Sequence, residues 1–406
     1  CQPIAAPYAF YSALSIVRSM KKLTAVIVAL MIITVASVGY LATDSSSSGF
    51  GPGDLAAPEI MRADAVNVSM PSPLTATSPP TDMAFKWRIT EDIYAGAGGA
   101  LRLSIENMNS AGRLYIYGFG LIWDDGSSTY RNCSVYVPAG GMASLGLLVF
   151  AAPDEPGTYG YRVVVKVAAS EMVPTLFKGR SEAWHDYGEL GSSSDQSAEV
   201  APLVEETRTE VSYNVKAYYA RINSLVSYEA AAGVADEIRA ERPGEYNILQ
   251  IVEAYEWVRD AIRYQEDGAV DYWQSAGETL ERGCGDCEDH AILMSSIIGA
   301  LGGNARVNIV KGHAFPTVFV GTTQEQMAQV EAAIASYYGL PDGQLTASYL
   351  VDETGYWLVV DTTGFPYAGG IPAQSGYSAD GGWSMGSDYL YAIDATGVVA
   401  VGLFDL

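Results

Sequence analysis

Residues 282–293 read Arg-Gly-Cys-Gly-Asp-Cys-Glu-Asp-His-Ala-Ile-Leu, and they hold two of the chain's four cysteines and one of its three histidines. Two cysteines three apart allow several chemistries. A structural zinc site needs two more ligands, and the remaining Cys and His residues offer no paired spacing. A thioredoxin-like redox pair needs its own sheet and helix, and leaves the downstream His313 and Asp361 without a role. A reversible Cys284–Cys287 disulfide stays open, because so tight a spacing can close with strain that makes the bond reducible. The remaining chemistry is nucleophilic. Asp286 suits an N-cap and puts Cys287 at the first helical position, where unpaired N–H groups and the helix dipole favour a thiolate. The same N–H groups could face a developing oxyanion. Glu288 and Asp289 oppose ionisation of the thiol, so Cys287 needs a cationic partner. His290 lies three residues on along the same face, and His313 lies farther away in a strand-like stretch.

The elements around these residues follow from periodicity. Ile248, Ile251, Val252, Tyr255, Val258 and Ile262 recur at helical spacing, with Asn247 and Gln250 fitting a cap. A helix before it ends near Pro243. A helix from Glu288 to Leu301 carries one apolar stripe, Ala291, Met294, Ile298 and Leu301, and stops at Gly302-Gly303. Strands follow at "RVNIVKG", "AFPTVFVG", "ASYLV" and "YWLVVD", with a helical insertion at 323–338 and a hairpin turn at 352–355. His313 falls at the head of a strand and Asp361 at the end of another. A carboxylate there could orient the imidazole against the sulfur, giving a Cys287–His313–Asp361 triad recognised by role and not by sequence distance. His290 reads as a helix-surface or supporting residue, and His185 as structural. The Gly, Ser and aromatic-rich stretch 369–389 could form a rim over the cleft.

"GDCEDHA" resembles the active-cysteine motif of the transglutaminase-like superfamily. "GHAF" is similar to that superfamily's histidine strand, and "WLVVDTTG" to its aspartate strand. The order agrees, and the three motifs place the resemblance over about residues 205–395. It implies a papain-like α+β domain, a thioester on Cys287, and either transfer to an amine or hydrolysis of a peptide or protein amide. The motif does not fix the second oxyanion donor, for which Trp273 and Gln274 are candidates. Cys284 is extra to the motif. Animal members of the family depend on calcium, but no calcium loop is found in this sequence, so neither metal nor cofactor is expected. A catalytically silent peptide-binding or adhesion module at the cell surface is the alternative.

Composition sets the context. A chain of 406 residues with 49% hydrophobic content suggests two or three domains. The formal charge of −24 speaks against nucleic-acid partners. No Lys or Arg follows Lys311 while ten acids do, so a cleft there favours neutral or basic substrates. Leu23–Ala42 runs twenty residues without a charge, behind Arg18, Lys21 and Lys22, and all 47 acids lie beyond it. That pattern predicts a single-pass membrane anchor with everything downstream outside the cell, or alternatively a cleaved signal segment. Met20-Lys21-Lys22 resembles a secretory start, so the residues before it are expected to be upstream read-through. The expected organisation is an N-terminal segment 1–22, the anchor 23–42, and a Ser/Pro/Gly-rich stalk 43–80. An all-β immunoglobulin-like sandwich then spans 81–172, a linker 173–204, and the catalytic α+β domain 205–406. Within the sandwich Cys133 reads as a buried small hydrophobe.

Overall fold

Short apolar-alternating segments divided by turns build the first half. The computed structural model describes residues 55–56, 66–72, 74–175, 179–192, 196–268, 270–341 and 343–398. The hydrophobic segment 23–42 and the residues before it lie outside them, and among the described residues no helix is long and apolar enough to cross a membrane. The strands are β1 (Met83–Ile89), β2 (Ile93–Tyr94), β3 (Gly99–Asn107), β4 (Leu114–Trp123), β5 (Ser128–Val137), β6 (Met142–Phe150), β7 (Gly157–Thr175), β8 (Gly179–Gly191) and β9 (Gln196–Ala201). One sheet runs β1-β3-β6 and the other β2-β9-β7-β4-β5, with β8 added beside β7. Alternation aims Leu101, Leu103 and Ile105 of β3 inward. They meet Phe119, Leu121, Val163 and Val165 of the facing sheet in one core, which also encloses Cys133. The expected β-sandwich core is therefore present.

Most described residues of the stretch expected as a linker, 173–204, are instead strand: the end of β7, then β8 and β9. β8 pairs with β7 from Val164↔Gly191 to Thr175↔Gly179. Only Ala183 and Trp184 of β8 are buried, so this hairpin lacks the two-residue apolar rhythm that marks a strand in sequence. The end of the expected stalk is also pinned, because Thr75 N–H donates to the Trp184 carbonyl at 2.6 Å. His185 has a structural place there, packed edge-on against Tyr187.

The second half contains β10 (Glu210–Tyr213), α1 (Lys216–Leu225), α2 (Tyr228–Glu241), α3 (Ile248–Ala261), β11 (Arg263–Tyr264), α4 (Ala276–Arg282), β12 (Cys284–Gly285), α5 (Cys287–Leu301), β13 (Ala305–Val310), β14 (His313–Gly321), α6 (Gln324–Tyr337), β15 (Tyr349–Asp352), β16 (Gly355–Val359), β17 (Ser375–Tyr377), β18 (Trp383–Met385) and β19 (Tyr389–Asp394). Its main sheet has the order β10-β19-β13-β14-β16-β15, antiparallel except for β10 beside β19. The helical stripe of α3 is buried as its spacing predicts, and Asn247 accepts from the N–H groups of Leu249 and Gln250. Gln250 does not return the cap; its Nε2 donates to the Arg242 carbonyl at 2.9 Å. α5 departs from its expected single stripe. All of Glu288–Ile298 is buried, because the helix is the centre of the domain, enclosed by neighbouring helices and the sheet. An element hydrophobic on every side suits that position.

Candidate active site

Two different element ends meet at the site. β11 pairs with β12 at Arg263↔Cys284 and Tyr264↔Gly285, which leads the chain directly into α5. Asp286 stands at the N-cap with extended backbone, and the Asp289 carboxylate accepts its N–H at 3.3 Å. Cys287 is therefore the first helical residue, as expected. It is partly exposed, whereas Cys284 is buried, and both are free thiols.

The sheet brings the other two groups together. β14 and β16 pair with Thr317↔Val359, and Val360 N–H donates to the Pro316 carbonyl at 3.1 Å. Continuing that register sets Asp361 alongside Phe315, two residues from His313 on the same face. His313 Nε2 lies 2.8 Å from Asp361 Oδ2, and both side chains are buried. Asp361 is saturated: Oδ1 accepts from Thr363 N–H at 2.9 Å and from its hydroxyl at 2.7 Å, while Oδ2 also accepts from Ala373 N–H at 2.9 Å. Burial alone would push this carboxyl up, but His313 and these hydrogen bonds outweigh it and hold Asp361 below its ordinary value. An ionised carboxylate only accepts, so Nε2 carries the hydrogen and Nδ1 remains as the basic nitrogen. Cys287 approaches from the helix side, because α5 packs against β14, and the backbone of Ala314, the residue after His313, works to lower its thiol against larger opposing causes.

The electrostatics at the sulfur run against the helix dipole. Burial first, and then Glu288, push the Cys287 thiol up. The thiol donates to Glu288 Oε2 at 3.0 Å. Further acids crowd the same spot. Burial and the Glu288 charge push Asp286 up to about 7, and burial pushes Asp289 up to about 6. The opposition from neighbouring acids expected from sequence is present and adds to burial, which is the larger cause.

Residues 232–362 match the family model of the transglutaminase-like superfamily. This segment belongs to that superfamily. No curated protein matches the chain. Three solved structures resemble parts of it. One is native α2-macroglobulin from Escherichia coli, from domain MG7 to the C-terminus, with 12% identity and a TM-score of 0.21, over 54% of this chain and 33% of that one. The chain thus spans about a third of that structure. Another is a PapD-like domain of human CEP192, with 12% identity and a TM-score of 0.15, over 30% of this chain and 95% of that one. The last is a candidate cysteine protease from Cytophaga hutchinsonii, with 11% identity and a TM-score of 0.21, over 59% of this chain and 76% of that one. Likeness at these scores carries no argument.

Inside the transglutaminase-like segment, the two oxyanion candidates have other partners. Trp273 Nε1 donates to Asp271 at 2.9 Å, and the Arg221 guanidinium covers its ring at 3.8 Å. Gln274 donates through its backbone to Asp289 Oδ1 at 2.7 Å and through its side chain to Asp289 Oδ2 and the Cys284 carbonyl. The Trp273 indole N–H and the Gln274 donors are thus engaged with these acceptors. Asp289 is fully buried and acts as the clamp between the loop at 273–274 and α5. Thr362, Thr363, Ala373 and the Ala314 backbone were not anticipated from sequence. The two threonine hydroxyls beside the acid in "DTTG" were the available signal; a backbone contact leaves none. Among the described residues no group of three or more His, Cys, Asp or Glu is placed to hold a metal ion.

Proposed function

We propose that this protein is a cysteine enzyme that transfers acyl groups from, or hydrolyses, amides of peptide or protein substrates. Cys287 is the nucleophile, His313 the base and Asp361 the group that fixes the imidazole. The observation that carries this reading is the His313 ring, whose Nε2 is held at 2.8 Å by the buried Asp361 carboxylate, on the strand against which the helix headed by Cys287 packs. His313 Nδ1 takes the thiol proton, and the sulfur attacks the amide carbon. Backbone N–H groups at the start of α5 face the oxyanion. Collapse of that intermediate returns the proton to the leaving nitrogen and leaves a thioester. Water then gives hydrolysis and an amine gives transfer. The acids around Cys287 and the absence of Lys and Arg after Lys311 favour neutral or basic substrates. With Leu23–Ala42 as anchor, the enzyme would act outside the cell at its membrane.

The test offers the soluble part from residue 81 a glutamine peptide with a labelled amine, following amine incorporation and release of ammonia or peptide. Cys287→Ala and His313→Ala are expected to abolish both signals, and Asp361→Asn to lower the rate by about 10²–10⁴-fold. Activity that survives Cys287→Ala but is lost in Cys284→Ala would assign the chemistry to Cys284 and overturn this reading. A second reading, a non-catalytic peptide-binding module, draws on the thiol being neutral and bonded to Glu288. It predicts that alkylation of Cys287 at mild pH is slow and indifferent to His313→Ala.

A further inference from the structure

His290 sits on the helix of Cys287 but outside the triad. Its ring is only 3% exposed, and Nδ1 lies 2.8 Å from Thr362 Oγ1. Thr362 stands between Asp361 and Thr363, and Thr363 holds Asp361 Oδ1. The contact therefore joins the nucleophile's helix to the turn that carries the acid, across 72 residues of chain. Tyr264 flanks the ring at 6.1 Å. Burial pushes the imidazole down to about 4, against the pull of the Asp361 charge and the Arg263 backbone. An apolar residue in its place would leave the Thr362 hydroxyl facing hydrocarbon.

We propose that His290 is a positioning residue which, through Thr362, fixes the Asp361 turn against α5 and so sets the separation between the Cys287 sulfur and the His313 ring. The inference rests on the triad reading above. Sulfur and imidazole come from different elements, and their spacing depends on how the helix head and the strand end are tied. Misplacement of reacting groups by about 1 Å lowers rates by about 10²-fold.

The experiment compares His290→Phe and Thr362→Val, each removing one end of the tie, with His290→Asn, which keeps a polar atom near the Nδ1 position. Three quantities are read: the pH dependence of Cys287 alkylation by iodoacetamide, kcat and KM on the glutamine peptide, and the thermal midpoint. His290→Phe and Thr362→Val are expected to lower kcat by about 10- to 100-fold with KM nearly unchanged. Their alkylation profiles should move toward that of His313→Ala. The double variant should be no worse than either single one, and His290→Asn should recover most of the loss. Wild-type kcat and profile in both single variants would overturn the proposal. So would losses that follow the thermal midpoint alone with the profile unmoved. If His313→Ala itself leaves the alkylation profile unchanged, the triad reading fails and this inference fails with it. A normal His313 effect without a His290 effect sinks only the inference.

Discussion

At the scale of single residues, Glu288 decides the resting state of the sulfur. Its carboxylate accepts the thiol hydrogen at 3.0 Å, and its charge adds to burial in pushing the thiol up. Glu288→Gln removes that charge. The thiol should then titrate lower, so more thiolate exists at a given pH below its midpoint. We expect the alkylation midpoint of Cys287 to fall by at least about one unit, which is roughly tenfold faster reaction at pH 7. A midpoint that stays or rises would mean that Glu288 does not hold the proton. The sequence made the sign of this effect legible, since acids at the second and third helical positions oppose a thiolate. It did not reveal that the thiol is largely buried and bonded to Glu288, because those depend on packing and on a side-chain rotamer. The proposed triad, Cys287, His313 and Asp361, stood out in sequence through "GDCEDHA", "GHAF" and "WLVVDTTG", the motifs that resemble the transglutaminase-like superfamily. Trp273 and Gln274 carried no such marker, and the partners of their donors depend on a loop fold that no period encodes.

At the scale of elements, periodicity read correctly where one face meets water and less well elsewhere. α3 alternates between core and solvent, and its buried positions match its spacing. α5 is enclosed on all sides, so its stripe understated its burial, and the exposed hairpin of β7 and β8 had too few apolar residues to be seen. Enclosure also explains Gly299, inside α5. A Cβ there would lie 2.1 Å from the Tyr228 ring of α2. That ring is fixed in turn by the Tyr228 hydroxyl, which donates to the Ala395 carbonyl at 2.5 Å. Gly299→Ala gains about 1 kcal/mol of helix propensity but forces the two helices apart, a strain typically about 1–3 kcal/mol. We expect a net loss of stability in urea melts, where surface Gly→Ala changes in helices usually stabilise. A more stable Gly299→Ala variant would show that α2 and α5 have slack at this crossing.

For the whole molecule, the two halves within Pro52–Leu406 are joined by cations that one half lends to the other. The chain after Lys311 has no Lys or Arg of its own, and two sandwich arginines reach carbonyls in it. Arg102 donates to the Pro366 carbonyl at 2.9 Å and pairs with Glu256 at 2.6 Å. Arg131 donates to the carbonyls of Tyr338 at 3.1 Å and Gly339 at 2.6 Å while also bonding Leu147 in its own sheet. Tyr94, Ala100 and Leu147 of the sandwich belong to the same core as α5. The absence of Lys and Arg there, legible in sequence, suggested a field for neutral or basic substrates; it also leaves room for the sandwich to supply guanidinium groups, which only the fold could reveal. Arg131 is mostly buried and its bonds go to neutral carbonyls, so removing it strands acceptors on both sides of the junction. Hydrogen bonds to a charged group contribute about 1.5–3 kcal/mol each, and Arg131→Leu is expected to cost on the order of 3 kcal/mol, separating one thermal transition into two. Lys86→Ala, which breaks a partly exposed pair with Glu106 inside the sandwich, should stay within about 1 kcal/mol and keep a single transition. If Arg131→Leu melts as one unit at the wild-type temperature, the apolar core shared by the halves holds them together and the lent arginines do not.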